Sequence, residues 1–197
     1  MSHRFSVGES NYMSTKNQFK GKKIGIGVTG SVAAYKAVEI VSYLNQQGAS
    51  VTVLMTEAAT KFVTPLTFQT LSHNQVITDL FSQDYEFDPQ HIALAEKLDV
   101  LLIAPASGNI IGKIASGIAD DVLSTLVMSL KPSKVIIAPA MNEKMYLNPI
   151  VQNNIARLKK QSYHFIEPEN GHLACGSGLG RLASFDTIIK YLASIVN

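Results

Sequence analysis

Residues 22–55 read KKIGIGVTGSVAAYKAVEIVSYLNQQGASVTVLM, and this stretch decides the fold class. The segment 22–28 alternates β-branched side chains with glycines, a pattern that predicts a strand. Apolar residues then recur at helical spacing over 33–44, and Gly48 can end that helix in a left-handed conformation. The segment 50–55 predicts a second strand. A strand, a helix and a strand in this order predict a right-handed crossover within a parallel sheet.

Two similar apolar segments follow this unit, LLIAPA at 101–106 and VIIAPA at 135–140. Unbroken apolar runs of this kind are typical of strands that helices cover on both faces of a sheet. A proline is expected to stop each strand, because proline cannot donate a hydrogen bond to the ladder. The sequence therefore predicts an α/β domain with a single doubly wound, Rossmann-like parallel sheet and helices on both faces. Such sheets bind ligands at the carboxyl ends of their strands.

Capping side chains mark several predicted helix starts. Asp88, Asn148 and Ser184 each precede a helical pattern. The pair Asp120-Asp121 could serve as two acids in general acid–base chemistry. We favour an N-cap for the helix that begins near Val122, because an apolar helical pattern follows the pair directly.

The composition favours one domain with small molecules or like subunits as partners. The chain has 197 residues, 46% of them hydrophobic, which is enough for one full core and short for two. The formal net charge is +2 without a dense basic cluster, so neither nucleic acid nor a membrane surface is an expected partner. Residues 1–20 are interpreted as a disordered leader or a cloning remnant, and 21–197 as the domain. A single thiol and no signal-peptide pattern suggest the cytoplasm.

Cys175 is the only cysteine, and it lies within GHLACGSGLGR at 171–181. Glycines let the backbone move or approach a ligand, so we expect a flexible substrate flap near 168–183 that carries a nucleophile or proton donor. The alternative is a small buried residue kept for packing, which the glycine-rich surroundings disfavour. A metal site is not expected, because His172 and Cys175 are only two possible zinc ligands.

Three other positions suggest chemistry. The segment 25–30, GIGVTG, has the glycine spacing of the dinucleotide-binding motif. Two of its glycines fall inside the predicted strand, whereas that motif requires them around the turn and the helix start. The segment 30–32 could still bind a phosphate-sized anion at the start of the helix; a plain N-cap at Ser31 is the alternative. His91 lies early in a predicted helix, where the dipole favours a neutral ring that can accept a proton, although such a residue is more often a surface or capping residue. Asn142 could hold a carboxylate or a flavin edge, or be a turn residue.

These motifs together resemble the homo-oligomeric flavin-containing cysteine decarboxylases, most closely the branch that acts on phosphopantothenoylcysteine. The resemblance covers about residues 22–183. The matching motifs are GSVAAYK at 30–36, His91-Ile92, PASGN at 105–109, PAMNEKM at 139–145 and ACG at 174–176. The chain departs from the family pattern at Gly108, Ile110, Tyr146 and Ser177, and the departure at Ser177 leaves substrate details there open.

The resemblance implies FMN as the cofactor. It implies that the FMN phosphate lies near Gly30, Ser31 and Thr56, the flavin ring near Phe62, Ala106, Ser107, Asn109 and Ala140, with Val32 and Met141 as further cofactor contacts. It also implies a trimer or a trimer-based dodecamer, with the flavin between subunits.

The implied reaction is the decarboxylation of 4′-phosphopantothenoylcysteine to 4′-phosphopantetheine in coenzyme A biosynthesis. Flavin oxidation to a thioaldehyde supplies an electron sink, and loss of CO2 then gives an ene-thiol. The resemblance makes His91 the base of the oxidative step and assigns substrate binding to Asn142, Met145 and Ala174. Cys175 is the implied proton donor when the ene-thiol is reduced again.

Three rival functions remain open. A peptidyl-cysteine decarboxylase stops at the ene-thiol, and Cys175 argues against that function. A flavin prenyltransferase shares the fold but lacks the arrangement of His91 and Asn142. A regulatory flavoprotein that docks to a phosphatase would bind its partner without turnover.

Overall fold

The computed structural model describes residues 17–80, 90–174 and 176–196. Its centre is a parallel sheet with strand order β2-β1-β3-β4-β5. The strands are β1 (Lys23–Val28), β2 (Ser50–Met55), β3 (Val100–Ala106), β4 (Val135–Pro139) and β5 (His164–Phe165). The predicted doubly wound sheet is confirmed. The strand order reverses between β1 and β3, and ligands of such sheets bind in the crevice at that point.

Helices cover both faces of the sheet. They are α1 (Ala34–Gln46), α2 (Glu57–Thr60), α3 (Pro65–Ser72), α4 (Gln90–Lys97), α5 (Gly108–Ser116), α6 (Val122–Ser129), α7 (Glu143–Tyr146), α8 (Pro149–Lys160) and α9 (Phe185–Val196), with a 3-10 turn at Pro132–Lys134. The apolar faces of α1, α3 and α9 form one core layer, and those of α5, α6 and α8 form the other. Among the described residues, no helix is both long and apolar enough to cross a bilayer.

Three of the predicted caps are confirmed. The Asp121 carboxylate accepts a hydrogen bond from the Ser124 amide at 2.8 Å, and the Asn148 side chain accepts one from the Ile150 amide at 2.9 Å. The Ser184 hydroxyl likewise accepts from the Thr187 amide. Asp121 is therefore a cap, as favoured over a catalytic acid pair. The predicted cap at Asp88 lies outside the described residues.

Two boundaries differ from the sequence prediction. Strand β3 continues through Pro105 to Ala106, because the missing amide hydrogen of the proline falls where the register against β4 shifts. The predicted leader also extends too far: Phe19 is fully buried in the core, so residues 17–20 belong to the folded domain. A single apolar residue in a polar stretch has no periodic pattern, which is why the sequence did not reveal it.

The described residues also form a second sheet of two strands, which is not hydrogen-bonded to the strands of the first sheet. Its antiparallel strands are β6 (Glu169–Leu173) and β7 (Gly176–Arg181), and we call them the hairpin. The segment predicted as a flap is thus paired backbone on both sides of residue 175. Cys175 itself lies outside the described residues, and the flexibility of the flap stays a prediction.

Candidate active site

A buried threonine joins the ends of β1 and β3, where the strand order reverses. Thr29 is 1% exposed. Its hydroxyl donates to the Pro105 carbonyl oxygen at 2.6 Å and accepts from the Ser107 amide at 2.9 Å. Because both partners are backbone groups, this one side chain fixes the spacing between the two loops that leave β1 and β3.

Ser31 and Ala140 extend this connection to β4. The Ser31 hydroxyl donates to the Ala140 carbonyl oxygen at 3.1 Å, and the Ala140 amide donates to the Ala106 carbonyl oxygen at 3.0 Å. Helix α1 begins only at Ala34, with Ala33 at its N-cap and no capping side chain. The Ser31 hydroxyl also accepts a hydrogen bond from the Ala33 amide at 3.3 Å, as a capping side chain does. Ser31 is nevertheless more than the plain N-cap of the alternative, because it lies in the loop before α1 and bridges two strand ends.

Asn142 caps the short helix α7 directly after β4. Its Oδ1 accepts a hydrogen bond from the Lys144 amide at 2.9 Å, so the turn-residue alternative describes its backbone correctly. The cap uses the oxygen only. Among the described residues, the amide nitrogen Nδ2 has no hydrogen-bond partner, and an amide N–H2 at this edge is suited to an anionic oxygen.

The hairpin packs directly against the segment that contains Asn142. The Met141 amide donates to the Gly180 carbonyl oxygen at 3.0 Å, and the Leu179 amide donates to Glu143 Oε1 at 2.9 Å. A Cβ atom at Gly180, whose φ is +132°, would lie 2.2 Å from the Met141 carbonyl oxygen. Only glycine permits this approach, so the hairpin and the Asn142 segment form one wall.

The base of the hairpin is held by a hydrogen bond from the Tyr146 hydroxyl to Glu167 Oε2 at 2.8 Å. Burial, together with that carboxylate, raises the pKa of Tyr146 to about 12, so the phenol stays protonated as the donor. Lys159 also contacts Glu167. Tyr146, one of the departures from the family pattern, thus links α7 to the segment between β5 and β6.

These elements enclose a cavity of about 440 Å³ at the carboxyl edge of the sheet. Ten of the predicted site residues line it: Gly30, Ser31, Val32, Phe62, Ser107, Ala140, Met141, Asn142, Met145 and Ala174. These residues belong to five separate segments of the sequence, and the fold brings them together. Most of the lining is apolar, as is usual for cofactor and substrate sites.

Three predicted cofactor residues lie outside the lining of this cavity. Thr56 caps α2 by accepting from the Ala59 amide at 3.3 Å, Ala106 is fully buried, and Asn109 is exposed on α5. Their roles stay predictions. The same holds for the two catalytic residues, since Cys175 and the side chain of His91 lie outside the described part of the chain.

Two charged residues of the lining, Lys36 and Arg181, were not predicted as site residues from the sequence. Both belong to segments that had been singled out, the GSVAAYK motif and the glycine-rich stretch. The two residues meet because the hairpin folds back over α1, and this contact between distant segments cannot be predicted from the spacing of residues in the sequence.

The flavoprotein family model matches residues 12–197. The chain belongs to the flavoprotein family. A probable phosphopantothenoylcysteine decarboxylase of Streptococcus mutans is 49% identical over 175 residues, which are 86% of this chain and 96% of that protein. The coenzyme A biosynthesis bifunctional protein CoaBC of Borreliella burgdorferi is 48% identical over 90% of this chain. The chain spans only 45% of that bifunctional relative.

Solved structures agree with the family assignment. The FMN-dependent cysteine decarboxylase SpaF superposes with a TM-score of 0.75 at 28% identity, covering 89% of this chain and 99% of SpaF. A cysteine-to-serine mutant of a PPC decarboxylase, complexed with pantothenoylaminoethenethiol, has a TM-score of 0.75 at 29% identity and covers 87% and 96% of the two chains. The resemblance inferred from the sequence motifs is therefore confirmed.

Proposed function

We propose that this protein is an FMN-dependent decarboxylase that converts 4′-phosphopantothenoylcysteine to 4′-phosphopantetheine. The observation that carries the proposal is the joint enclosure of one cavity by the β1/β3 loops and by the wall that contains Asn142 and the hairpin. The names of the relatives support the substrate, and the family supports the flavin.

The residues present fit a flavin mononucleotide. Gly30 faces α2 so closely that a Cβ atom there would lie 2.6 Å from the Ala58 Cβ, so position 30 of the loop before α1 requires glycine. Such a loop, with Ser31 and the start of α1, suits the flavin phosphate. Phe62 and the backbone around Ser107 and Ala140 would flank the ring. Bound FMN would supply reversible two-electron oxidation of the carbon–sulfur centre of the substrate.

The protein's own groups would then bind the substrate and move its protons. The Asn142 amide would donate to the substrate carboxylate and hold it until CO2 leaves. We assign His91 the removal of a proton during oxidation of the substrate. We assign Cys175 the return of a proton to the ene-thiol carbon, after which the electrons that oxidation removed are restored. No net redox change results, because oxidation and reduction cancel within one cycle.

Half-exposed apolar residues at the cavity suggest that another copy of the chain covers it. Val32 is 54% exposed, Phe62 53% and Met145 52%, although all three line the cavity. Apolar surface of this kind is usual at subunit contacts. We therefore propose a trimer or a trimer-based dodecamer, in the cytoplasm, with the site completed at a subunit interface. Light scattering on the purified protein measures the oligomeric mass.

The proposed function is tested by anaerobic incubation of the flavin-loaded protein with 4′-phosphopantothenoylcysteine, with products read by mass spectrometry. We expect 4′-phosphopantetheine. An accumulating ene-thiol would contradict the role of Cys175 and support the peptidyl-cysteine rival, for which a cysteine-terminated peptide is the parallel substrate. Unchanged substrate with intact bound flavin would contradict the decarboxylase proposal and favour the regulatory rival.

A further inference from the structure

Two cationic side chains line the cavity, and neither has a carboxylate partner among the described residues. Lys36 lies in the first turn of α1, and Arg181 is the last residue of β7. Salt bridges in the described part of the chain involve other residues, so no described Asp or Glu oxygen lies within 4.0 Å of either charge. Unpaired charges in a partly buried, largely apolar cavity are costly unless a ligand pairs with them.

Two acidic residues that act on Lys36, Glu169 and Glu39, do not neutralise this pair of cations. Glu169 stands opposite Arg181 in the register of the hairpin, but its Oε1 accepts a hydrogen bond from the Ser184 amide at 2.7 Å. Burial lowers the pKa of Lys36, and the positive charge of Arg181 lowers it further, while Glu169 and Glu39 only partly oppose the shift. The two cations therefore repel each other across the cavity, and an anion between them would relieve that repulsion.

The hairpin holds Arg181 in a defined place. Its side chain lies across Gly171 on β6, where a Cβ atom would be 2.8 Å from Arg181 Cδ and 2.9 Å from Nη1. Glycine at position 171 thus leaves room for the arginine to lie flat against the strand. A fixed guanidinium offers parallel N–H donors that match the oxygens of a phosphate.

We propose that Lys36 and Arg181 together bind a phosphate monoester dianion, the phosphorylated end of the substrate, and so select phosphorylated over unphosphorylated substrates. This inference rests on the proposed function. The flavin also carries a phosphate monoester, but the loop of residues 30–32 is already suited to it. A peptide ending in cysteine carries no such group, so the subsite would also disfavour the peptidyl-cysteine substrates of the rival function.

The test compares kcat/KM for 4′-phosphopantothenoylcysteine with kcat/KM for pantothenoylcysteine. In the wild-type protein the phosphorylated substrate should be favoured. We expect Lys36→Gln and Arg181→Gln each to reduce that preference about 10- to 100-fold, the usual effect of losing a charge-assisted hydrogen bond, with little change for pantothenoylcysteine. Arg157→Gln and Lys160→Gln, which remove exposed charges from α8, are the matched controls and should keep the preference.

Two binding measurements separate the possible sources of the phosphate. Inorganic phosphate should inhibit the wild-type protein competitively and inhibit both variants less. The ratio of the FMN and riboflavin dissociation constants should stay unchanged in the variants. A collapse of that ratio, with the substrate preference intact, would overturn the proposal and assign the cations to the flavin phosphate.

An unchanged substrate preference in both variants would also overturn it. If Arg181→Gln fails to fold, Arg181→Lys and Lys36→Gln are tested instead. We expect Arg181→Lys to lose an intermediate part of the preference for the phosphorylated substrate, because lysine keeps the charge but lacks the paired N–H donors of the guanidinium. Absence of turnover on both substrates in the wild-type protein would instead contradict the proposed function itself, and phosphate binding measured by calorimetry would then still test the subsite.

Discussion

The carboxyl edge of the sheet and the hairpin enclose the same cavity but are built by different means. The edge is fixed by burial: Thr29 is 1% exposed, β3 is buried throughout, and β1 is buried except at its first residue, Lys23. The hairpin is largely half-exposed and is fixed by two backbone-mediated hydrogen bonds and one glycine contact with the Asn142 segment.

Because of this difference, we expect mutations in the two regions to have different effects. Changes at the edge disturb the common core and should reduce the free energy of unfolding. Changes in the hairpin can be absorbed by local detachment, so they should reduce turnover while leaving global stability nearly intact.

Gly180→Ala should have the largest effect, and it should fall on turnover. The added Cβ would lie 2.2 Å from the Met141 carbonyl oxygen, a backbone atom that cannot move aside alone. We expect kcat/KM to fall about 100-fold or more, as a displacement of about 1 Å can cause, while the melting temperature changes little. Steady-state kinetics and thermal unfolding check both parts.

Gly117→Ala is the control for backbone strain without collision. Gly117 ends α5 with φ +70°, and a Cβ atom added there would have no neighbouring atom within 4 Å. It should lose about 1 kcal/mol of stability and keep its activity. Gly180→Ala activity within about twofold of wild type would show that the hairpin contact is not needed for turnover.

Thr29→Val should have the next largest effect, on stability and flavin retention. Valine leaves the buried Pro105 carbonyl oxygen and the Ser107 amide without their partner, at about 1–3 kcal/mol for each unpaired group. Urea unfolding measures the loss. Thr29→Ser keeps the hydroxyl and is the matched control. Equal stability of the valine and serine variants would mean that the hydroxyl does not join the two loops.

Gly27→Ala should destabilise the sheet by a smaller amount. The new methyl group would lie 2.6 Å from Leu123 Cδ1, a side chain that can shift within the core. Overpacking of this kind costs about 1–3 kcal/mol, and kcat should be preserved because the cavity is not touched. Gly112→Ala, on the helix α5 and with no contact closer than 4.0 Å, is the control and should be neutral or stabilising. A fall in kcat without a loss of stability would contradict the division between the two regions.

The pH dependence of stability should show the smallest effect, at the base of the hairpin. Burial alone would raise the pKa of Glu167, but hydrogen bonds from Lys159 and Tyr146 outweigh it and lower that pKa. A lowered pKa stabilises the folded state above the pKa of the unfolded chain, and this contribution disappears as the pH falls through the folded-state value. Because the side chain is 58% exposed, we expect less than about 1 kcal/mol. Glu167→Gln should lose this part of the acid sensitivity in urea titrations; an unchanged pH slope would remove Glu167 as its source.

The sheet and most of the cavity could be predicted from the sequence because their patterns are local. Alternation in 22–28 and the buried runs at 101–106 and 135–140 identify strands, and the residues after a parallel strand must meet at one edge. Asn142 was found in this way, and Ser31 was found from its place at the predicted start of the first helix. The bridging role of Ser31 was missed, because it depends on where α1 begins relative to the end of β4.

The hairpin and its contacts could not be predicted in the same way. Glycines at 176, 178 and 180 remove the side-chain alternation by which strands are recognised. The close approach of Gly180 to Met141, and the meeting of Lys36 with Arg181, join segments far apart in the chain. Such contacts follow from tertiary packing alone.

Flavin affinity and substrate KM, measured together on Thr29→Val and Gly180→Ala, test this division of the site most directly. We predict that Gly180→Ala binds FMN within about twofold of wild type but turns over 4′-phosphopantothenoylcysteine poorly, and that Thr29→Val loses FMN affinity. If Gly180→Ala loses FMN as readily as Thr29→Val does, the hairpin belongs to the flavin site, and the separation of a flavin-binding edge from a substrate-binding hairpin is wrong.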